Sequence, residues 1–106
     1  MTMAISPKDD KEYSSLVEVE EIVVKKFRVI LHNDDYTTFE FVTEILMSIF
    51  RKSFQEAKKL TMHIHLNGKG VAGVYTLEIA EMKVKLVLEA ARKNNFPLRA
   101  TIEENH

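Results

Sequence analysis

The chain has 106 residues, a formal net charge of −1, 45% hydrophobic residues and 29% charged residues. This size fits one domain with a modest core, and the near-neutral charge gives no electrostatic reason to expect nucleic acid or an anionic membrane as a partner. The sequence has no cysteine, which excludes disulfides, thiolate metal sites and a thiol nucleophile. It also has no bilayer-length apolar run and no secretory-type N-terminal segment, so we expect a cytoplasmic protein.

The beginning of the chain differs in composition from the remainder. Residues 7–12 read PKDDKE and residues 18–21 read EVEE. Charged stretches of this kind at a chain terminus are typical of segments that do not join the packed core. We therefore predict a flexible N-terminal extension over residues 1–24 and a single core domain over residues 25–106.

The core begins with a predicted strand and helix. Residues 23–32 are strand-like, because apolar and polar side chains alternate from Phe27 onward. Residues 39–50 predict a helix, because their apolar members recur at helical spacing. Thr37 and Glu40 have the spacing of a capping box, in which a hydroxyl and a carboxylate satisfy backbone N–H groups at a helix start. We therefore expect Thr37 to cap this helix.

A second helix and a second strand follow. Ser53 and Glu56 form another capping box, and the helix is expected to end near His65. Its inner stripe consists of Ala57, Leu60, Thr61 and Ile64. An NGKG turn then leads to a strand over residues 71–75, in which Gly73 indicates a β-bulge or a close backbone approach.

A third helix and a last strand complete the domain. Thr76 is a suitable N-cap, and Asn94 and Asn95 can end the helix. Its predicted inner face consists of Ala80, Val84, Val87, Leu88 and Ala91. Alternation over residues 98–103 predicts a half-buried strand. The order βααβαβ indicates an α+β fold, with a small three-stranded antiparallel sheet packed against three helices.

The connection between the first strand and the first helix is the most unusual stretch of the sequence. Asn33, Asp34 and Asp35 stand there in succession. Such residues commonly form turns, because their side chains bond to nearby backbone. The alternative is that Asn33 and Asp34 present oxygens to a cation at the end of a groove. The stretch by itself leaves both interpretations open.

Catalytic chemistry has little support in this sequence. A zinc site would need His32, His63 and His65 to converge, and a His-x-His pair without an acidic or sulfur partner is a weak signal. The chain has no Gly-x-Ser-x-Gly motif and no phosphate-binding glycine loop. We therefore expect a protein that is not an enzyme, with no metal and no cofactor.

A recognition site fits the residues better. If the first two helices pack as a hairpin beside the first strand, an apolar pit with a polar, acidic rim forms. The candidate residues are Asn33, Asp34, Phe39, Val42, Ile64, His65 and Leu98. Such a site suits a ligand that carries a bulky hydrophobic group beside a positive charge.

Two sequence blocks resemble the ClpS adaptor family. Residues 29–42 read VILHNDDYTTFEFV, and residues 65–81 contain HLNGKG, GVYT and EIAE in the family's order. The similarity extends from about residue 26 to residue 103 and includes Pro97 and Leu98. It implies a non-catalytic adaptor that binds substrates with N-terminal Leu, Phe, Tyr or Trp. The adaptor delivers them to the unfoldase ClpA, or ClpC in some lineages, for degradation by ClpP.

The resemblance also implies residue roles. Asn33, Asp34 and His65 bind the substrate's α-amino group, and His65 can accept only through a neutral ring nitrogen, so acid should weaken binding. The side-chain pocket is lined by Val42, Thr61, Ile64 and Leu98, with Phe39 at its mouth. We expect micromolar affinity and a monomeric adaptor.

The sequence departs from the family pattern at three positions. Phe39 stands where the family usually has Met, which excludes β-branched residues, and we expect rejection of Ile and Val to persist. Thr61 stands where a larger Met is common, so the pocket floor is either larger or more polar. That leaves the ranking of Leu, Phe, Tyr and Trp open. Thr38 replaces a frequent Pro, with little expected effect.

The third helix is the expected contact with the unfoldase. The resemblance places Glu78 and Lys83 on this docking face, whereas composition alone predicts a solvated helix surface. It also gives the N-terminal extension a role in engaging the unfoldase during delivery. The alternative function is a docking module without a ligand pocket, whose α+β architecture resembles the C-terminal domain of the ribosomal stalk protein.

Overall fold

A computed structural model describes residues 24–106, so the predicted extension lies outside the described residues except for its last position. The elements are β1 (Lys26–His32), α1 (Phe39–Ser48), α2 (Phe54–Asn67), β2 (Lys69–Tyr75), α3 (Leu77–Lys93) and β3 (Arg99–Asn105). This order and the α+β class confirm the prediction from the sequence. No helix in this part of the chain has the length and apolar character needed to cross a membrane.

The sheet has the order β2-β1-β3, and both neighbours of β1 run antiparallel to it. On β2 the register shifts, because Val29 pairs with Gly73 while the next residue, Ile30, pairs with Val71. A side chain at Gly73 would also collide with the Tyr75 ring. Gly73 therefore marks both features that the sequence left as alternatives, a β-bulge and a close approach.

The core lies between the three helices and one face of the sheet. Val29 and Leu31 of β1 are fully buried in it. The helices contribute Val42, Ile45, Leu46, Ala57, Ile64, Ala80, Val87 and Ala91. The predicted inner position of Leu88 is wrong, since its side chain is exposed. Val87 is buried as predicted. Leu88, one residue further along the helix, is rotated about 100° away from it and so faces outward.

The start of α1 differs from the prediction by one residue. Thr38, not Thr37, is the N-cap, and its hydroxyl accepts a hydrogen bond from the N–H of Phe41 at 3.1 Å. The hydroxyl of Thr37 instead donates to Asp34 Oδ2 at 2.6 Å. Because the N–H of Thr37 also donates to this carboxylate, at 2.7 Å, Asp34 holds the Thr37 side chain in the loop that precedes the helix. At α2, by contrast, the predicted capping box of Ser53 is present.

The end of α2 is fastened to the loop that follows β1. The helix continues two residues beyond His65 and ends at Gly68, which has a left-handed φ of 88° and donates to the Ile64 carbonyl at 2.8 Å. The carbonyl of Gly68 in turn accepts from the N–H of Asn33 at 2.8 Å. This backbone bond brings the Asn-Asp-Asp loop next to the last turns of α2.

Candidate functional site

The loop between β1 and α1 is organised around the Asp34 carboxylate. Its Oδ1 accepts from the N–H of Tyr36 at 2.8 Å and from the N–H of Thr37 at 2.7 Å. Its Oδ2 accepts from the Thr37 hydroxyl at 2.6 Å. The carboxylate therefore closes a turn of its own, which is the structural interpretation that the sequence offered.

The same hydrogen bonds keep Asp34 charged. Partial burial of the side chain opposes ionisation, but the bonds from the Thr37 hydroxyl, the Thr37 N–H and the Tyr36 N–H outweigh it and lower the pKa of the Asp34 carboxyl. A carboxylate offers about four acceptor positions, and three are occupied here. One acceptor position on Oδ2 remains for a ligand, so the structural and ligand-binding interpretations are compatible.

A concavity of about 470 Å³ lies where this loop meets α1 and α2. Seven predicted site residues line it together: Asn33, Asp34, Phe39, Val42, Thr61, Ile64 and His65. Its inner wall is largely apolar, since it consists of Val42, Ile64 and the methyl-bearing Thr61, which are 6%, 2% and 2% exposed. Its rim is polar, since Asn33 and His65 are exposed.

The charge of the concavity has one sign. Asp34 and Asp35 both line it, and none of its eleven lining residues in the described chain is Lys or Arg. A cationic group is therefore attracted to the rim, and no side chain there supplies a competing positive charge. The predicted pit for a hydrophobic group beside a positive charge matches this arrangement.

Leu98 lies apart from the other candidates. It is 3% exposed, belongs to the hydrophobic core and stands just before β3 instead of inside it. It is not among the residues that line the concavity, so its place in the pocket stays a prediction. The strand begins one residue later than predicted, because its pairing with β1 ends at His32 and Arg99. The residue after β1, Asn33, bonds to Gly68 instead.

Four further residues line the concavity that the sequence analysis did not assign to the site: Asp35, Thr37, Thr38 and Met62. Three of them belong to the loop, where neighbours of Asp34 were the obvious candidates. Met62 could have been predicted from its spacing, since it lies three residues before His65 on α2 and so on the same side of that helix. Its side chain is 45% exposed.

The histidines do not converge on a metal site. His32 lies on β1 with Nε2 at 2.7 Å from Thr101 Oγ1, and His63 has Nδ1 at 3.1 Å from the Asn67 side-chain nitrogen. Only His65 lines the concavity. Within residues 24–106, no group of three His, Asp or Glu side chains could hold a metal ion.

Comparison with known proteins places the chain in a family. The family model for the ATP-dependent Clp protease adaptor protein ClpS matches residues 24–101. A protein of that name from Desulforapulum autotrophicum is 47% identical over 98 residues, which cover 92% of this chain and 94% of the relative. The chain belongs to the ClpS family. It is therefore an adaptor of the Clp protease and not an enzyme.

Two further ClpS proteins are similar to this chain, one by sequence and one by its solved structure. The adapter protein of Maricaulis maris is 53% identical over 78 residues, covering 74% of this chain and 72% of the relative. A solved structure of Agrobacterium tumefaciens ClpS2 bound to L-phenylalaninamide matches with a TM-score of 0.76 and 37% identity. The match covers 78% of this chain and all of that one. The Agrobacterium structure shares the α+β fold described above.

The two residues that the ClpS resemblance assigns to docking differ in their surroundings. Glu78 is exposed in the first turn of α3. Lys83 is half-buried, and its Nζ donates to the carbonyl of Ile49 at 2.6 Å. The same ammonium lies 5.6 Å from the centroid of the Tyr75 ring. Lys83 therefore joins α3 to the C-terminal end of α1, where helix carbonyls favour a cation, and is not simply solvated.

Proposed function

We propose that this ClpS-family adaptor recognises substrates by their N-terminal residue. It binds a free α-amino group together with a bulky hydrophobic side chain (Leu, Phe, Tyr or Trp) and delivers the substrate to ClpA or ClpC for degradation by ClpP. The observation that carries the proposal is the Asp34 carboxylate, which is held by three hydrogen bonds with one acceptor position left, at the rim of an apolar concavity. The setting is the cytoplasm, and the adaptor acts as a monomer.

An N-terminal residue matches both halves of the concavity. Its ammonium has three N–H donors, and Asp34 Oδ2, the Asn33 side-chain oxygen and a His65 ring nitrogen are acceptors at the rim. Its side chain can enter between Val42 and Ile64. L-phenylalaninamide, the ligand in the Agrobacterium relative, combines a free amino group with a benzyl side chain, and its chemistry supports this assignment.

The energies of these contacts are sufficient for a transient adaptor. Burying a Leu or Phe side chain contributes about 2–3 kcal/mol. A hydrogen bond to a charged group contributes about 1.5–3 kcal/mol. A few such contacts, less the cost of association, correspond to a dissociation constant of roughly micromolar. An adaptor that must release its substrate to an unfoldase needs no tighter binding.

Fluorescence polarisation with labelled peptides tests the recognition step. Peptides that begin with Leu, Phe, Tyr or Trp should bind, and those that begin with Ile should not. An N-acetylated Phe peptide should lose binding, because acetylation removes the positive charge and leaves Asp34 without its partner. Equal binding of free and acetylated peptides would contradict the proposal. No binding by any peptide would favour the docking-module alternative, with α3 as its contact surface.

Delivery is tested with a variant outside the concavity. Glu78→Lys reverses an exposed charge on α3 and leaves the Asp34 loop untouched. We expect the variant to bind Phe peptides normally and to lose stimulation of degradation by a purified ClpA–ClpP or ClpC–ClpP pair. Unchanged degradation with both unfoldases would remove Glu78 from the docking contact without affecting the recognition step.

A further inference from the structure

Two threonines join α1 to α2 beneath the candidate site. Thr43 and Thr61 are 7% and 2% exposed, and they are the only polar residues classed as buried among residues 24–106. Their Oγ1 atoms lie 2.9 Å apart. Thr43 Oγ1 is also 3.0 Å from the Phe39 carbonyl, and Thr61 Oγ1 is 2.7 Å from the Ala57 carbonyl.

The protons of this pair are fully used inside the protein. Each threonine hydroxyl has one proton and two lone pairs. If both protons went to the helix carbonyls, two lone pairs would face each other at 2.9 Å. One hydroxyl therefore donates to a carbonyl and the other donates to its partner threonine. Neither hydroxyl has a free proton for a ligand, so the pair cannot donate a hydrogen bond to an acceptor in the substrate.

The pair also contributes to the linings of two concavities. Thr61 lines the site concavity, whereas Thr43 lines a second one of about 380 Å³ bounded by residues of α1 and α2. Phe39 lines both. Phe39 and the bonded threonines therefore link the linings of the two spaces. In the lining of the site concavity, this link presents the short, branched side chain of Thr61.

We propose that the Thr43–Thr61 pair sets the size of the side-chain pocket and ranks N-terminal aromatic residues above Leu. The inference rests on the proposed recognition of N-terminal residues. The pair acts through its shape, because its hydroxyl protons are already bonded. An aromatic side chain buries about 150–250 Å² when it fits, which exceeds what Leu can bury. The short Thr61 side chain leaves the room for that ring.

Substitutions at Thr61 separate shape from polarity. Thr61→Val keeps the shape and removes the hydroxyl, and Thr43 can then donate to the Phe39 carbonyl, so no buried donor is left unpaired. We expect the ratio of Phe-peptide to Leu-peptide affinity to stay within about twofold of the wild-type ratio. Thr61→Met fills the floor and should lower that ratio by about tenfold, the scale of discrimination by one or two methylenes.

A second variant keeps the test valid if Thr61→Met fails to fold. Thr61→Ala removes atoms from the wall and should raise the affinity for Trp relative to Phe. Met47→Leu is the matched control, because Met47 lines only the second concavity, and it should leave every ratio unchanged. Thermal unfolding of each variant shows whether the domain is intact.

The outcomes distinguish this inference from the proposed function. If wild-type protein binds free N-terminal peptides but prefers Leu, or if Thr61→Met and Thr61→Ala leave the ratios unchanged, the shape inference fails and N-terminal recognition stands. A ratio that changes with Thr61→Val as much as with Thr61→Met also overturns it, in favour of a polar floor. If wild-type protein binds no free N-terminal peptide, the proposed function itself fails and this inference with it.

Discussion

The rim of the concavity and the outer surface of α3 both carry charged residues, but they hold them differently. At the rim, Asp34 accepts three hydrogen bonds within its own loop. On α3, Glu78 is exposed, and Lys83 bonds to the end of α1. A fixed carboxylate suits a small ligand whose ammonium must come within hydrogen-bond distance of it. Because the loop already orders the carboxylate, binding costs less side-chain entropy. An exposed charge such as Glu78 suits a protein surface, where it steers association.

The largest expected effect comes from the fixed carboxylate. Asp34→Ala should weaken binding of a free Phe peptide by about 100-fold or more, because it removes the charged acceptor and the bonds that shape the loop. Asp35→Ala is the matched control, since Asp35 lines the same concavity and should cost only a few-fold through lost long-range attraction. Fluorescence polarisation measures both. Equal losses would mean that general negative charge, and not the fixed geometry, selects the ligand.

Lys83 provides the corresponding test on α3. Lys83→Met removes the ammonium from the Ile49 carbonyl and from the Tyr75 ring while keeping an apolar stem of similar reach. We expect the free energy of unfolding to fall by about 1–2 kcal/mol. Glu78→Lys should lower it by less, because the helix dipole disfavours a positive charge in the first turn of α3 only weakly at an exposed position.

Chemical denaturation gives this comparison directly. If Lys83→Met unfolds at the wild-type denaturant concentration, the bond to Ile49 contributes nothing and Lys83 is available to a partner. If it is destabilised as expected, loss of delivery in a Lys83 variant cannot be assigned to docking alone. Glu78 is then the better residue for mapping the unfoldase contact.

Much of the fold could be predicted from local patterns. Helical spacing located the stripes of α1 and α2, and the Ser53 capping box located the start of α2. The start of α1 was predicted one residue early, because only Thr37 has a glutamate, Glu40, at capping-box spacing, whereas the structure uses Thr38 as the cap. The choice depends on Asp34, whose carboxylate engages the Thr37 hydroxyl. A tertiary or loop contact that competes for a capping group is invisible to spacing alone.

More residues of the candidate site could be predicted at its rim than at its floor. Asn33, Asp34 and His65 could be grouped because a turn-rich loop and a helix end are brought together by any helical hairpin packed on β1. Thr43 was not singled out, since a threonine on a helix gives no sign of a partner 18 residues away. Leu98 was assigned from its place at the start of the last predicted strand and again by the resemblance, and its core position depends on how the chain enters β3.

Thr37 offers a finer test of the rim. Thr37→Val removes the hydroxyl that donates to Asp34 Oδ2 but keeps the backbone bonds to Oδ1. Since that hydrogen bond helps to lower the pKa of the Asp34 carboxyl, the variant's pKa should rise back toward the usual value. Peptide binding should then be lost at a higher pH than in the wild-type protein as the solution is acidified. NMR titration of the Asp34 carboxyl carbon measures the change, and an unmoved titration would contradict the assigned role of the hydroxyl.

The smallest expected effect separates the acid sensitivity of the fold from that of the site. His32 stands directly before Asn33, with its side chain bonded to Thr101. Burial, followed by the charges of Arg99 and Lys69, lowers the pKa of His32 below 6.5, and Glu103 opposes the shift only in part. The unfolded chain therefore binds a proton more readily than the folded one, so stability falls as the pH drops below about 6.5 toward the folded pKa.

His32→Gln should remove this component, because a glutamine can still bond to Thr101 but does not titrate. Wild-type protein should lose more stability than the variant between about pH 7 and pH 5, measured as denaturation midpoints. Parallel curves would show that His32 protonation does not affect folding. Peptide binding by the variant then reports only on groups in the concavity. A fall in affinity with acid that persists in His32→Gln is therefore independent of His32 protonation.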